Sequence, residues 1–576
     1  MQEYQNRYLK NAQEISAGQF EGYDELTALR HENSRLLEEY LFPVLDDLPS
    51  ADAGVLQELS EFAAALMDRR FNLDCGLYIL IHDALLSLYR IRKDRSGVIR
   101  ELYALGMGHY YRNRMLNGLP DRMVSSFHFE NEMIFTEGAS YFKYFDTIGD
   151  DETKGYILRC LGNIAIATPD RKRRVAVSSR MLQIIQDDHY RRLAPSLPWD
   201  LYLRSTHQQM SSNRDVLSKG DLSSDELAAI LESCHVVFEP EKAADDPNIR
   251  WLWPYYEMEY SLGLADLNMT LYRMRHLIES MPADHHDASG LYANVQLPIY
   301  YGRLLRGHPE LKNRSEHVQF LADAYGKMIQ CILSFPSGSI DDFFRYDLDL
   351  ILYDYYETEG TPDFLSILNV LFSRIGGTVY ARSVQTGQIM QTICRAIYDS
   401  DPSYFRHLPV FPEGTAPEET GDILADYAMQ CGILQDIGLF GMHMDRLLYL
   451  REMFEDELPI YRLHTEAGHL ILQEKPSTRL FADTALGHHS WYNGSGGWPD
   501  TYVRNGSNCR QMTDIAAIAS FLEENRELDR DTLLSELFRY EGTRFSPLVT
   551  AYFGSNQMTD EVFAILSADP SAAPVS

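Results

Sequence analysis

The chain has 576 residues, and 45% of them are hydrophobic, so it can bury more than one core and is not an intrinsically disordered protein. Its 84 acidic residues outnumber its 52 basic residues and give a formal net charge of −32 at pH 7. Because this charge repels nucleic-acid phosphates and anionic lipids, we expect neither a nucleic-acid polymer nor a membrane among its partners.

The N-terminal sequence and the cysteines indicate the compartment. The chain begins with polar residues, and no apolar signal-peptide core follows them. The most apolar stretch, residues 76–89, contains His82 and Asp83 and is shorter than a membrane span. The seven cysteines occur singly, without a Cys-x-x-Cys pair, which is typical of reduced thiols. The sequence therefore predicts a cytoplasmic protein.

The sequence up to residue 362 has the apolar period of amphipathic α-helices. One such helix has its apolar face at Leu56, Leu59, Phe62, Ala63 and Leu66. Successive segments pair as helical hairpins, for example residues 156–167 with 175–185, and 296–305 with 317–333. Helix pairs of this kind resemble tetratricopeptide-like repeats, which form a curved array with a groove for a peptide or another protein. An irregular helical bundle is the alternative.

Two changes in composition divide the sequence. A Gly-Thr-Pro break within residues 357–363 gives a helical-repeat sensor or docking region at 1–362 and a second domain at 363–566. The tail at 567–576, rich in Ala, Pro and Ser, is expected to be disordered. In the second domain, residues 415–418 predict a capping box for a helix that ends near Asp436. Both domains are predicted to be all-α.

Histidine and carboxylate residues recur near the C-terminus at the spacing of successive helices. In chain order they are Asp436, His464, His488, His489 and Asp514. Three imidazoles and a carboxylate on separate helices can converge on one buried point, and this donor set suits iron, manganese or zinc. The sequence therefore predicts a divalent metal site at these residues, with Asp514 either completing it or orienting a ligand histidine.

The order of these residues resembles that of the HD-GYP domain, an HD-superfamily phosphohydrolase module associated with cyclic di-GMP hydrolysis. The matching residues are Asp436, His464, Gly468, His488, His489, Gly497, Trp498, Pro499 and Asp514, within a region of resemblance from about residue 375 to 555. The resemblance implies an HD-type helical domain and a catalytic centre at Asp436 and its neighbour Gln435. It also implies a small phosphate-containing ligand, such as a cyclic dinucleotide, as the substrate.

Four positions depart from the HD-GYP pattern. Gln435 replaces the histidine before the aspartate, Leu439 replaces a lysine, and Ser490 replaces an acidic residue. Arg382 lies where an upstream helix of the family supplies another histidine. Because a neutral amide is a poor metal ligand, the sequence predicts one metal ion and weak phosphodiesterase activity. The alternative is a catalytically inactive domain that binds a nucleotide or a protein under the control of the helical repeats.

A Gly-rich turn at residues 493–499 separates the histidine doublet from the last metal-ligand position. Trp498 in this turn can stack on a base, and Arg504 and Arg510 after it can bind phosphate, so these three residues are predicted to bind the substrate. A turn that only joins two helices, with both arginines on the surface, is the other interpretation.

Overall fold

The protein is described from a computed structural model, which describes residues 2–18, 20–68, 71–72, 74–213, 222–242, 249–312, 314–335, 348–411 and 420–570. Within these ranges the chain is mostly helical, and the sheet consists of one antiparallel pair, Met67–Asp68 with Phe71–Asn72. The predicted all-α fold class is confirmed. No helix in the described ranges is both long and apolar enough to cross a bilayer. The predicted capping box at 415–418 lies outside the described residues, as does most of the predicted tail.

Contacts within the chain divide it into two units. The first consists of Met1–Lys10 and Leu36–Pro336, and the second consists of Asn11–Arg35 and Ser337–Ser576. The second unit therefore begins before the predicted boundary at residues 362 and 363, and it includes an N-terminal segment that the sequence does not assign to it.

Side chains of that N-terminal segment account for its membership of the second unit. Asn33 donates a hydrogen bond from Nδ2 to the carbonyl oxygen of Leu450 at 2.9 Å. Arg30 forms an ion pair with Glu452 at 3.1 Å. Because these partners are more than 400 residues apart in the chain, no local sequence pattern indicates the contacts.

The helices up to residue 335 follow one another at short intervals. They are α1 (Gln2–Ser16), α2 (Tyr23–Leu36), α3 (Phe42–Asp46), α4 (Ala53–Leu66), α5 (Cys75–Arg92), α6 (Arg95–Asn113), α7 (Asp121–Ser140), α8 (Asp151–Ala167), α9 (Arg171–Gln186), α10 (Asp188–Leu193), α11 (Trp199–Ser211), α12 (Ser224–Lys242), α13 (Ile249–Ser261), α14 (Leu267–Ser280), α15 (Ala288–Leu291), α16 (Leu297–Gly307), α17 (Pro309–Lys312) and α18 (Ser315–Ser334). Short 3-10 or π-helical turns lie at Leu37–Leu41, Leu48–Ser50, Arg114–Leu116, Tyr141–Thr147 and Tyr292–Gln296.

Aspartate residues begin many of these helices. Asp52, Asp74, Asp94, Asp150 and Asp170 each precede a helix and accept a hydrogen bond from a backbone N–H of its first turn. Such a cap contributes about 1 kcal/mol, so these residues fix where the helices start. The apolar face predicted for residues 56–66 is buried on α4.

The helices of the first unit pack mainly on their neighbours in the chain. α5 packs on α6, α6 on α7, α7 on α8, and α8 on α9. Phe135, Phe145, Leu158, Ile185 and Trp199 form part of one buried cluster in this region. Sequential packing is common to repeat arrays and irregular bundles, so the predicted tetratricopeptide-like repeat stays a prediction.

The helices of the second unit from residue 364 onward include one long helix and several short ones. They are α19 (Phe364–Ile375), α20 (Gly377–Ser400), α21 (Thr420–Leu434), α22 (Ile437–Gly441), α23 (Asp445–Leu450), α24 (Leu458–Arg462), α25 (His464–Gln473), α26 (Ala482–Gly487), α27 (Arg510–Glu524), α28 (Arg530–Arg539), α29 (Pro547–Thr550) and α30 (Asn556–Ser567). Turns of 3-10 helix lie at Pro402–Phe405, Arg479–Phe481, Arg504–Gly506 and Ala551–Gly554. The long helix α20 packs against α21, α27 and α30 and forms the centre of this unit.

Candidate metal centre

Helix ends of the second unit bring four predicted ligands together. Asp436 connects α21 to α22, His464 is the first residue of α25, and His488 and His489 follow the end of α26. α22 touches α25 at Gly438, where a β-carbon would lie 1.8 Å from the carbonyl oxygen of His464. Only glycine fits at this approach of two backbones, and the approach holds Asp436 beside His464.

The ligand atoms of this cluster have the spacing of a metal site. His464 Nε2 lies 3.3 Å from His488 Nε2, and Asp436 Oδ1 lies 3.6 and 3.4 Å from these two nitrogens. One ligand atom of His489 completes the group, and the four atoms all lie within 4.8 Å of one another. A tetrahedral ion with bonds of about 2.0–2.2 Å separates its ligand atoms by about 3.3–3.6 Å. The three measured separations therefore match one face of a tetrahedral site.

Backbone carbonyls fix the orientation of two of the imidazoles. His464 donates a hydrogen bond from Nδ1 to the carbonyl oxygen of Tyr461 at 2.6 Å, and His488 donates one from Nδ1 to that of Ala485 at 2.9 Å. With the proton on Nδ1, Nε2 of each ring carries a lone pair and faces the other ring. This is the tautomer that a metal-binding histidine requires.

Comparisons of the chain with protein-family models, curated proteins and solved structures give no match. The interpretation of the site therefore depends on its side-chain geometry.

The protein environment favours the protonation states that bind metals. Burial, together with the neighbouring His488 imidazole, lowers the pKa of His464 to about 4. Burial, together with the neighbouring imidazoles of His488 and His464, lowers the pKa of His489 well below its usual value. Burial acts to raise the pKa of Asp436, but hydrogen bonding and charge from His488 and His464 outweigh it and hold that pKa well below its usual range. At neutral pH the carboxylate is ionised and His464 and His489 are neutral.

Gln435, predicted to be catalytic with Asp436, contacts the second oxygen of that aspartate. Its buried amide donates hydrogen bonds from Nε2 to Ser520 Oγ at 2.7 Å and to Asp436 Oδ2 at 3.2 Å. Oδ1 of Asp436 remains directed at His464 and His488. The structure thus gives Gln435 a contact that orients the carboxylate, and the catalytic assignment stays a prediction.

Asp514, predicted as a further metal ligand, lies outside the cluster. It stands at the start of the second turn of α27, and its carboxylate accepts hydrogen bonds from Nε of Arg504 at 2.7 Å and from Nη2 of the same residue. The Arg504 guanidinium also lies 4.3 Å from the ring centroid of Tyr492. The ligand role of Asp514 is not supported, because Arg504 holds its carboxylate. Because the Arg504 guanidinium is bound to Asp514, its predicted contact with a phosphate is not supported either.

Trp498 lies against the histidine doublet, whereas Arg510 does not. The indole stacks on His489 with ring centroids 4.4 Å apart and 25° between the planes, and its backbone N–H donates to the carbonyl oxygen of His489 at 3.4 Å. Arg462 lies 5.3 Å from the same indole ring. The Gly-rich turn therefore forms part of the wall of the site, while Arg510 is exposed at the start of α27.

Glu524 is a residue of the site that the sequence did not identify. Its carboxylate lies 3.6 Å from His489 Nε2 and accepts a hydrogen bond from the hydroxyl of Tyr461 at 3.4 Å. Burial and the nearby charge of Asp436 raise the pKa of Glu524 to about 7. Its side chain is still 33% exposed, so water screens part of this effect. Ser520 and Glu524 are one helical turn apart and share a face of α27, but this spacing alone does not mark Glu524 in the sequence.

Arg382, which the HD-GYP resemblance aligns with an upstream histidine, is held in a structural ion pair. Its guanidinium pairs through two nitrogens with Glu523 and donates from Nη1 to the hydroxyl of Tyr449 at 3.0 Å. Arg382 therefore supplies a fixed positive charge near the cluster and offers no ligand atom.

Proposed function

We propose that the second unit is a metal-dependent phosphohydrolase that holds one divalent ion at Asp436, His464, His488 and His489. The observation that carries the proposal is the approach of two Nε2 atoms to 3.3 Å, with both Nδ1 protons committed to carbonyls. Two lone pairs facing each other at this distance repel, and a cation between them removes the repulsion. The HD-GYP resemblance supplies the substrate class, a cyclic dinucleotide or a related phosphate ester.

The ligand atoms and the residues around them limit both the number of ions and the choice of metal. Nitrogen and carboxylate ligands suit iron, manganese or zinc, and the tetrahedral spacing favours zinc. Gln435 is a neutral amide whose Nε2 is hydrogen-bonded to Ser520, and Arg382 is paired with Glu523, so neither position offers a strong ligand for a second ion.

Residues on the open side of the cluster are suited to proton transfer. A divalent ion supplies stabilisation of negative charge on phosphoryl oxygens and makes water a better nucleophile at neutral pH. The side chains of Asp436 and Glu524 are 23% and 33% exposed, whereas the ligand histidines are buried, so water and substrate reach the site from the carboxylate side. With its pKa raised to about 7, Glu524 can take up and release a proton at neutral pH. One ion stabilises the attacking and leaving oxygens less well than two, so slow turnover is expected.

A catalytically inactive domain is the second candidate, and a specific contact favours it. The Gln435 amide fills the space beside Asp436 with hydrogen bonds to Ser520 and to the carboxylate. A domain with this arrangement would bind a nucleotide or a protein without hydrolysing a substrate.

For the first unit we propose a docking role, in which helical repeats bind a peptide or another protein and regulate the second unit. Sequential helix packing supports this proposal. We also propose a cytoplasmic location. The seven cysteines are all buried and free of disulfides, which is the usual state in a reducing compartment.

Metal analysis tests the proposed centre. After reconstitution with zinc, manganese or iron, we expect one equivalent per wild-type chain and a large loss in His488→Ala. His469 also lies on α25, but it donates from Nδ1 to the carbonyl oxygen of Ala482 and is outside the cluster, so His469→Ala should keep the ion. Two or more equivalents in the wild type, or none, would overturn the proposal.

Activity assays separate the two candidate functions. Metal-loaded protein should hydrolyse cyclic di-GMP or an aryl phosphodiester slowly, and His464→Ala should abolish that turnover. Nucleotide binding without turnover would favour the inactive domain.

A further inference from the structure

Arg544 is a half-buried arginine beside the candidate metal centre. It lies in the loop between α28 and α29. Its guanidinium lies 5.1 Å from the ring centroids of Phe521 and Phe545. Among the described parts of the chain, no hydrogen bond or ion pair reaches this guanidinium. The two rings stabilise the charge only in part.

Such an arginine is unusual in this protein, in which 84 acidic residues face 52 basic ones. Other buried or half-buried arginines of the second unit are paired: Arg382 with Glu523, Arg451 with Glu457, Arg504 with Asp514, and Arg526 with Gln385 and Glu523. A partly desolvated charge without a hydrogen-bond or ion-pair partner is costly, and burial lowers the pKa of Arg544 although the nearby charge of Glu524 acts to raise it. An incoming anion would remove that cost.

Two sets of contacts hold Arg544 beside the histidines. Phe521, under the guanidinium, stands one helical turn before Glu524 on α27. The carbonyl oxygen of Arg544 accepts a hydrogen bond from the N–H of Tyr492 at 3.0 Å, three residues after His489. The positive charge of Arg544 accordingly lowers the pKa of both Glu524 and His489.

We propose that Arg544 is the anion-binding residue of this site, and that its guanidinium binds the oxygens of a phosphoryl group presented to the metal cluster. This inference rests on the proposed function and names the residue that recognises its substrate class. A guanidinium offers two parallel N–H donors that match two oxygens of a phosphate, which a lysine cannot do. By contrast, Arg504 is paired with Asp514, and Arg510 is exposed at the start of α27.

Binding of inorganic phosphate to the metal-loaded full chain, followed by calorimetry, tests this proposal. Arg544→Met keeps an apolar stem against the two phenylalanines and should weaken phosphate binding by about 10- to 100-fold, because a charge-assisted contact is lost. Arg544→Lys keeps the charge without the fork and should give a smaller loss. Arg539→Met is the matched control, since Arg539 is exposed on α28 and pairs with Glu536; its phosphate affinity should equal that of the wild type.

Metal content and thermal unfolding are measured on every variant. Phosphate binding that is unchanged in Arg544→Met, or absent in the wild type, would overturn the role of Arg544. Loss of the metal from Arg544→Lys and Arg544→Met alike would also overturn it, because the residue would then be structural. If phosphate binding depends on Arg544 but no ester is hydrolysed, the anion site stands and only the hydrolase assignment fails.

Discussion

His464 and His488 face each other with their Nε2 atoms 3.3 Å apart, and neither ring can turn away without losing a hydrogen bond to a backbone carbonyl. Protonating either Nε2 would relieve the lone-pair repulsion, but burial opposes a charged imidazole at this place. The metal-free cluster is therefore a source of instability that depends on pH.

The first prediction concerns the stability of the metal-free protein. The pKa of His464 is about 4 in the folded chain, against an ordinary value of 6.5. As the pH falls below 6.5, the unfolded chain takes up a proton on this imidazole before the folded chain does. The free energy of unfolding should therefore decrease by up to about 3 kcal/mol as the pH falls from the unfolded-state pKa of His464 to its folded-state pKa. Below the folded-state pKa, the contribution of His464 should no longer change with pH.

Urea unfolding of metal-free protein over this pH range measures the effect. His464→Gln removes the titrating group, so its unfolding free energy should depend less steeply on pH than that of the wild type. Parallel pH profiles for the two proteins would contradict the assigned pKa.

The sequence predicted the metal cluster because its ligands stand at successive helix ends. Asp436, His464, His488 and His489 are marked by their order in the chain, and the structure brings them to one point. Asp514 is not part of this cluster, because Arg504 from the loop before α27 holds its carboxylate, and the fold of that loop is not evident from the sequence.

The remaining features of the second unit depend on contacts distant in the chain. Glu524 faces the cluster only because α27 runs past it, and a glutamate at a helix end is too common to single out. Asn33 reaches Leu450 across most of the sequence, which no local pattern records. Helix positions follow from caps and apolar spacing, whereas these pairings follow from tertiary packing.

The second prediction concerns Gly438, where α22 meets α25. In Gly438→Ala the new methyl group would overlap the carbonyl oxygen of His464, since an ideal β-carbon lies 1.8 Å from it. The helices must separate, which should destabilise the protein by about 3 kcal/mol and weaken metal binding. Gly554→Ala is the control, because a β-carbon there meets no atom within 4 Å. Equal melting temperatures and metal contents for the two variants would contradict this account.

The third prediction concerns a second metal ion. Gln435 Nε2 and Ser520 Oγ are 2.7 Å apart beside Asp436, so Gln435→His with Ser520→Asp would place two new ligands next to an existing one. We expect a second metal equivalent and faster hydrolysis of a phosphodiester. The lysine of the HD-GYP pattern is not a useful companion change, because Leu439 is only 7% exposed and a lysine there would be buried.

Elemental analysis of this double variant, beside Gln435→His alone, measures the effect. The single change should not bind a second ion tightly, because one histidine and a shared carboxylate are too few ligands. A double variant that keeps one equivalent would show that the Arg382–Glu523 pair excludes a second cation from this side.

The last prediction assigns proton transfer to Glu524. If its carboxylate is the general base, the rate of ester hydrolysis should rise with pH up to the pKa of about 7 and then level off, because only the ionised form accepts a proton. Glu524→Gln should lower the rate by about 100-fold or more and remove that rise. Glu536→Gln, at a partly exposed residue of α28 that pairs with Arg539, should leave the rate and its rise with pH unchanged. Metal content decides between base and ligand: Glu524→Gln should keep the ion, and its loss would mean that Glu524 belongs to the ligand set with His489.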